Sequence, residues 1–233
     1  MNVNVDENNE LTNFREICMG KIPGGLLYRG SCPFFNISPE KDKAYKKLVS
    51  KAKIKCVINL SDNESGLEAA ANSVPWYREL LEKNNIIGLD IHFLFDCDNK
   101  SEDEVFKDKF KQGLLFLITH NGPYLIHCNA GTDRTGFVAA ILEGLLGAGI
   151  DEILYDYLLS YGKKFADEKT EKNINTGKII LQQLNAIING KIDDKENFQS
   201  NIEKYILNEI GLSGKELELL KEKLTKRNTK NAA

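Results

Sequence analysis

Short apolar runs alternate along the chain with apolar residues at helical spacing, which predicts an α/β fold. Runs of strand length, rich in Ile, Leu and Val, occupy residues 26–31, 54–60, 86–95 and 124–127. Between them, apolar spacing predicts helices over residues 39–51, 64–84, 101–118 and 134–146. Strands that alternate with helices in this way form mostly parallel sheets. We therefore expect a central, mostly parallel sheet flanked by helices.

Polar and glycine residues mark where several of these helices begin and end. Ser38 followed by Pro39 is typical of an N-cap and a first helical residue. Ser101 and Glu104 have the spacing of a capping box, and Pro75 breaks the helical stretch 64–84. Further along, Gly211-Leu212-Ser213 predicts the end of one helix and the cap of the next.

After Gly162 every apolar stripe has helical spacing, so the last third of the chain is predicted to contain no strand. No change in composition marks a domain boundary, and we expect residues 163–233 to form a helical extension of one domain spanning residues 1–233. Residues 1–13 are rich in Asn and acidic side chains and are expected to be disordered.

Composition narrows the classes of function. The chain has 233 residues, 42% of them hydrophobic, which is enough for a sizeable core. A formal net charge of −3 gives no general attraction to nucleic acid or anionic lipid. Residues 1–13 lack the apolar segment of a signal peptide, and no stretch is apolar enough to span a membrane. We therefore expect a cytoplasmic protein with no nucleic-acid partner and no stable membrane association.

The cysteines and histidines argue against disulfides and metal. Five scattered cysteines include no C-x-x-C pair, a pattern that favours reduced thiols. The three histidines are not spaced with the cysteines as zinc ligands would be. The sequence therefore predicts no metal site.

The most informative stretch runs from His127 to Gly136, between the strand predicted at 124–127 and the helix predicted from Arg134. In a strand–loop–helix junction, the loop N–H groups and the helix N-terminus converge on one point and favour an anion there. Cys128 opens the loop, and Arg134 lies six residues later on the first turn of the helix. The arrangement suits a cysteine nucleophile that attacks a bound phosphate.

Each residue type in this stretch has a chemical role to play. A helix N-terminus and a nearby cation lower the pKa of a cysteine, and the thiolate is the nucleophilic form. The planar fork of Arg134 matches two phosphate oxygens. Thr135 is placed to donate its hydroxyl to the Cys128 sulfur, and His127 is expected to support the loop rather than act as a base. The predicted phosphate-binding residues are Asn129, Ala130, Gly131, Thr132, Asp133, Arg134 and Thr135.

The reaction also needs an acid for the leaving oxygen and a base for water. Three aspartates compete for that role. Asp96 and Asp98 follow the strand predicted at 86–95, and Asp133 lies in the loop beside Arg134. A carboxylate at position 133 is equally suited to orienting Arg134, so the acid stays open between Asp98, Asp96 and Asp133.

A lone cysteine is more often a buried apolar residue than a nucleophile. Here His127, Cys128, Gly131, Arg134 and Thr135 occur together at a predicted strand–loop–helix junction, and that combination arises by chance in roughly one chain of this size in ten thousand. The catalytic interpretation is therefore favoured.

The motif His127-Cys128-x5-Arg134-Thr135 resembles the signature loop of the protein tyrosine phosphatase superfamily. More narrowly, residues 130–136 are similar to a branch whose loop reads Ala-Gly-Lys-Asp-Arg-Thr-Gly, which comprises atypical tyrosine and dual-specificity phosphatases. The resemblance extends along most of the chain, through residues 13–15, 25–31, 57–60, 89–92 with Asp98, 152–158 and 210–213.

This resemblance implies a phosphocysteine intermediate on Cys128, a phosphate clamp by Arg134, and no metal or organic cofactor. Two departures bear on the substrate. Thr132 replaces the usual lysine, which is associated with multiply charged headgroups, and Asn59-Leu60-Ser61 replaces Asp-Leu-Arg. The expected activity is phosphatase action on protein phosphotyrosine, with dual specificity open. The alternatives are a phosphoinositide or inositol-phosphate phosphatase and, less favoured, a catalytically dead phosphate-binding module.

Overall fold

The computed structural model describes residues 11–91, 100–189, 192 and 196–226. Among these residues the strands are β1 (Arg15–Ile17), β2 (Leu27–Ser31), β3 (Cys56–Asn59), β4 (Ile86–Gly88) and β5 (Tyr124–Cys128). The helices up to the end of the sheet region are α1 (Pro39–Ala52), α2 (Glu64–Ala71), α3 (Pro75–Glu82), α4 (Lys100–Thr119) and α5 (Asp133–Leu145). The later helices are α6 (Ile150–Leu159), α7 (Lys163–Asp167), α8 (Glu171–Ile187), α9 (Phe198–Asn208) and α10 (Gly214–Thr225).

The strands form one sheet in the order β1-β2-β5-β3-β4. β1 pairs antiparallel with β2, and the other three pairings are parallel. The predicted α/β fold with a mostly parallel sheet is therefore confirmed. The register places Ser31 beside Cys128 and Asn59 beside His127, so the carboxyl ends of β2, β3 and β5 meet at one edge. In open parallel sheets that edge is where binding sites form.

Both faces of the sheet are covered by apolar residues. Along β5 the side chains alternate: Ile126 and Cys128 belong to the larger core cluster, and Leu125 belongs to the smaller one. The larger cluster contains most of α5 and also the buried residues of α8, α9 and α10, which include Ile180, Ile202 and Leu220. The C-terminal helices therefore pack on the same side of the sheet as α5.

Two predicted helix caps are confirmed. The N–H of Lys41 donates to Ser38 Oγ at 3.2 Å, and Ser213 forms a capping box with Glu216. The predicted break near Pro75 is also confirmed, because α2 ends at Ala71 and α3 begins at Pro75. Ser101 was expected to cap α4, but that helix begins at Lys100, so Ser101 lies inside it.

The strand predicted over residues 86–95 was too long. Pairing in β4 ends at Gly88, and Asp90 has a left-handed φ of 49°, which an extended strand does not allow. Leu89 and Ile91 still donate to the carbonyls of Asn59 and Leu60. Residues 92–95 lie outside the described part of the chain. Within the described residues, no helix has the length and apolar character needed to cross a membrane.

Candidate active site

The strand–loop–helix junction predicted around Cys128 is present. β5 ends at Cys128, α5 begins at Asp133, and residues 129–132 form the loop between them, called here the 129–132 loop. Cys128 is a free thiol with only 2% of its surface exposed. Because α5 starts directly after the loop, its N-terminal N–H groups and the partial positive charge of its dipole lie next to the cysteine.

Gly131 makes the tight loop possible. Its φ is +74°, in the left-handed region that other residues rarely adopt. A Cβ at this position would lie 2.4 Å from the carbonyl carbon and oxygen of Gly30, closer than atoms can approach. The loop therefore packs directly against the backbone at the end of β2.

His127 supports the junction from the opposite face of the sheet. It is completely buried, and its Nε2 lies 3.2 Å from the Tyr77 hydroxyl, which also accepts a hydrogen bond from Asn59 at 3.0 Å. Phe34 packs edge-on against the rings of both His127 and Tyr77. Burial, with a smaller contribution from the positive charges of Lys41 and Arg134, lowers the pKa of His127 to about 3. His127 is therefore neutral at physiological pH, as expected of a supporting residue.

Arg134 lies on the first turn of α5, as predicted, and is partly exposed. Its Nη1 donates to the carbonyl of Ile91 at 2.7 Å. Since a guanidinium has five N–H donors, this bond leaves capacity for an anion. The same bond places Ile91, which precedes Asp96 and Asp98 in the chain, next to Arg134 on the first turn of α5.

Four candidate site residues are placed differently or lie outside the described chain. The Thr135 hydroxyl is fully buried and has no hydrogen-bond partner among the described residues, so the expected bond to the Cys128 sulfur is not formed. Asp133 is exposed, and its Oδ1 accepts from the Tyr157 hydroxyl at 3.4 Å. Asp96 and Asp98 lie outside the described residues.

The structure adds a buried ionic cluster that the sequence reasoning did not assign to the site. Asp156 of α6 forms ion pairs with Arg15 and Arg29, and all three side chains are almost completely buried. Burial favours the neutral form of Asp156, but the two arginines outweigh it and lower the pKa of the carboxyl group. Arg29 in the middle of the strand predicted over residues 26–31 was the available signal, because a charge there requires a buried partner.

This cluster contacts the 129–132 loop through Arg29. Its Nη2 donates to the carbonyls of Gly131 at 2.9 Å and Thr132 at 3.2 Å. Asn13 donates to the carbonyl of Ala130 at 3.2 Å. Residues 11–13 were expected to be disordered, and this was wrong, because Thr12 is fully buried and Asn13 binds the loop.

Within the described residues, no group of three or more His, Cys, Asp or Glu side chains is arranged to hold a metal ion.

Comparison with known proteins gives one family. Residues 9–226 match the model of a family described as the tyrosine phosphatase family. No curated protein matches the chain. One matching solved structure is the core catalytic domain of the PP-IP phosphatase SIW14 from S. cerevisiae in complex with citrate. The two chains are 18% identical, with a TM-score of 0.43, and the match covers 84% of this chain and 97% of the other.

Proposed function

This chain belongs to the tyrosine phosphatase family and is a cysteine-dependent phosphatase; on that premise, we propose that it hydrolyses protein phosphotyrosine, with Cys128 as its nucleophile. The observation that carries the proposal is the position of the Cys128 thiol. It lies at the end of β5, directly before the N-terminus of α5, with Arg134 on the first turn of that helix. This order of elements supports a site in which the thiol, the backbone N–H groups and the guanidinium surround a bound phosphoryl group.

The first step transfers the phosphoryl group to sulfur. The Cys128 thiolate attacks phosphorus, a P–S bond forms, and the P–O bond to the leaving group breaks. A carboxylic acid gives its proton to the leaving oxygen. The loop N–H groups and Arg134 stabilise the negative charge on the equatorial oxygens.

The second step restores the enzyme. Water attacks the phosphorus of phosphocysteine, the P–S bond breaks, and sulfur leaves as the thiolate. The carboxylate formed in the first step accepts the proton from water. Inorganic phosphate then departs, and the carboxyl group and thiolate are back in their starting forms.

For the acid we favour Asp98 or Asp96 over Asp133. Arg134 binds the carbonyl of Ile91, so the segment that carries Asp96 and Asp98 starts beside the site. Five to seven residues span at most about 16–25 Å, which is ample to return to the loop. The carboxylate of Asp133 accepts from Tyr157 of α6, which suits an orienting role at the helix start.

Two features favour a singly phosphorylated aromatic substrate. Thr132 stands where the resembling branch has lysine, so the loop carries less positive charge. Phe35, with 45% of its surface exposed, lies three residues after Cys32, whose backbone N–H donates to the Asn129 carbonyl of the 129–132 loop at 3.0 Å. An exposed aromatic residue there offers a phosphotyrosine ring an apolar contact.

The nucleophile is tested by Cys128→Ser, with Cys18→Ser as the matched control because Cys18 is an exposed thiol. Cys128→Ser should lose aryl-phosphate hydrolysis by roughly 10⁴-fold or more and still bind inorganic phosphate. Cys18→Ser should keep wild-type turnover. Near-normal turnover by Cys128→Ser would refute the assignment, and a wild-type protein that binds phosphate without hydrolysing any ester would be a binding module.

The acid and the substrate need separate experiments. To identify the acid, we compare turnover on esters with good and poor leaving groups for Asp98→Asn, Asp96→Asn and Asp133→Asn. The acid is the residue whose loss lowers turnover mainly for the poor leaving groups.

For the substrate, kcat/KM is measured on phosphotyrosine peptides, phosphoserine and phosphothreonine peptides, phosphoinositides and inositol phosphates. A higher value on an inositol-containing substrate than on every phosphotyrosine peptide would contradict our proposal.

A further inference from the structure

Every carbonyl of the 129–132 loop is held by a donor from outside the loop. Asn129 accepts from the backbone N–H of Cys32 at 3.0 Å, and Ala130 accepts from Asn13 Nδ2 at 3.2 Å. Gly131 and Thr132 both accept from Arg29 Nη2, at 2.9 and 3.2 Å. Arg29 thus contacts two consecutive peptide units of the loop, and the carbonyl of Thr132 also accepts from the N–H of Gly136 in α5 at 2.7 Å.

The direction of a carbonyl determines the direction of the next N–H group. A trans peptide unit is planar, and its C=O and N–H bonds point in opposite directions. When Arg29 draws the carbonyls of Gly131 and Thr132 towards itself, the N–H groups of Thr132 and Asp133 must point away from Arg29. Donors that all point away from the carbonyl side converge on the concave side of the loop, the arrangement by which backbone N–H groups bind an anion.

We propose that Arg29 is a positioning residue, which aims the N–H groups of Thr132 and Asp133 at the phosphoryl group and so contributes to transition-state stabilisation. The inference rests on the proposed function of the 129–132 loop. Arg29 does not touch the substrate, and its effect passes through two peptide units of the backbone.

Arg29 is well suited to this task because it is itself held rigidly. Its side chain is completely buried, its Nη1 pairs with Asp156, and its Nη2 lies 3.3 Å from the Ser160 hydroxyl. Asp156 is fixed in turn by Arg15, whose Nε donates at 2.9 Å and whose Nη2 binds the Asp156 carbonyl at 2.7 Å. The direction of the loop N–H groups is therefore set before substrate binds, as electrostatic preorganisation requires.

Arg15 provides a matched control. Like Arg29 it is buried, pairs with Asp156 and contacts Ser160, but it reaches the loop only through Asn13. Arg15→Lys and Arg29→Lys each keep a positive charge next to Asp156 and remove a planar fork. Only the second removes donors from the loop carbonyls.

The experiment measures direct binding of inorganic phosphate and of vanadate, a mimic of the five-coordinate transition state, to both variants and to wild type. Arg29→Lys should weaken vanadate binding about 10- to 100-fold, with a much smaller loss for phosphate, and should lower kcat by a similar factor. Arg15→Lys leaves the Arg29 donors in place and acts on the loop only indirectly, through Asp156 and Asn13, so it should lower the vanadate-to-phosphate affinity ratio clearly less than Arg29→Lys does. The ratio itself is independent of the folded fraction. Asn13→Ala removes the donor to the Ala130 carbonyl and so frees one peptide unit of the loop instead of two. Its effect on the vanadate-to-phosphate affinity ratio should therefore be smaller than that of Arg29→Lys, at several-fold.

A purely structural Arg29 would lower stability and leave the ratio unchanged. Equal ratios in Arg29→Lys and Arg15→Lys would therefore overturn the inference while leaving the proposed function intact. If Arg29→Lys does not fold, the test uses Asn13→Ala, because Asn13 is partly exposed. An unchanged vanadate-to-phosphate affinity ratio in Asn13→Ala then overturns the inference. A wild-type protein that binds neither phosphate nor vanadate would refute the proposed function and the inference together.

Discussion

Gly131→Ala should damage both stability and catalysis, because position 131 combines a left-handed backbone with a direct contact to β2. The φ of +74° costs a non-glycine residue about 1–2 kcal/mol. The added Cβ would lie 2.4 Å from Gly30 C and O and 2.6 Å from Ser31 N, and since these are backbone atoms the overlap is relieved only by moving a strand or the loop. Overpacking of this kind costs about 1–3 kcal/mol. We therefore expect the free energy of unfolding to fall by about 2–5 kcal/mol.

Gly25→Ala separates the two contributions to this loss. Gly25 has a similar φ of +82°, but a Cβ there would meet no atom within 4 Å. Its loss should therefore be only about 1–2 kcal/mol. Both variants are measured by urea unfolding at neutral pH, with kcat for an aryl phosphate measured in parallel. Gly131→Ala should also lose about 10²-fold in kcat, since a displacement of about 1 Å in a catalytic loop has that effect. Equal stability losses in the two variants, or full activity in Gly131→Ala, would refute the reasoning.

Three further predictions concern single side chains. The native pKa of His127 is about 3, against an ordinary value of 6.5. Between these two pH values the unfolded chain therefore binds a proton that the native state does not. The free energy of unfolding should be highest above pH 6.5 and fall by up to about 1.4 kcal/mol per pH unit towards pH 3. The free energy of unfolding of His127→Asn, measured between pH 3 and pH 6.5, should lack this contribution to the pH dependence. Tyr77→Phe removes the hydroxyl shared by Asn59 and His127 and should lower the free energy of unfolding by about 1–3 kcal/mol, so a loss below about 0.5 kcal/mol would count against the network. Ser213→Ala breaks the capping box of α10 and should cost about 1 kcal/mol in urea unfolding while kcat stays at the wild-type value.

Features that depend on neighbours a few residues apart were predictable from the sequence alone. The cap at Ser38, the capping box at Ser213 and the break at Pro75 all rest on interactions within one helical turn. The junction at Cys128 was predictable for the same reason, since an apolar run, a glycine and a helical stripe follow one another directly. The exception, the unformed bond from Thr135 to Cys128, depends on side-chain direction, and residue spacing does not determine that.

The contacts that orient the carbonyls of the 129–132 loop were determined only by the tertiary structure. The contact from Asn13 to Ala130 joins residues 117 apart in sequence, and Arg29 reaches Gly131 across 102 positions and Asp156 across 127. Residue types and periodicity carry no information about such pairs, because a buried arginine can find its partner on any element packed against it. The strand order makes β1, β2 and β5 neighbours in the sheet, and Asp156 of α6 contacts Arg15 of β1. The sequence by itself therefore determined the chemistry available at Cys128 and Arg134, and the packing of distant elements determined where the backbone N–H groups point.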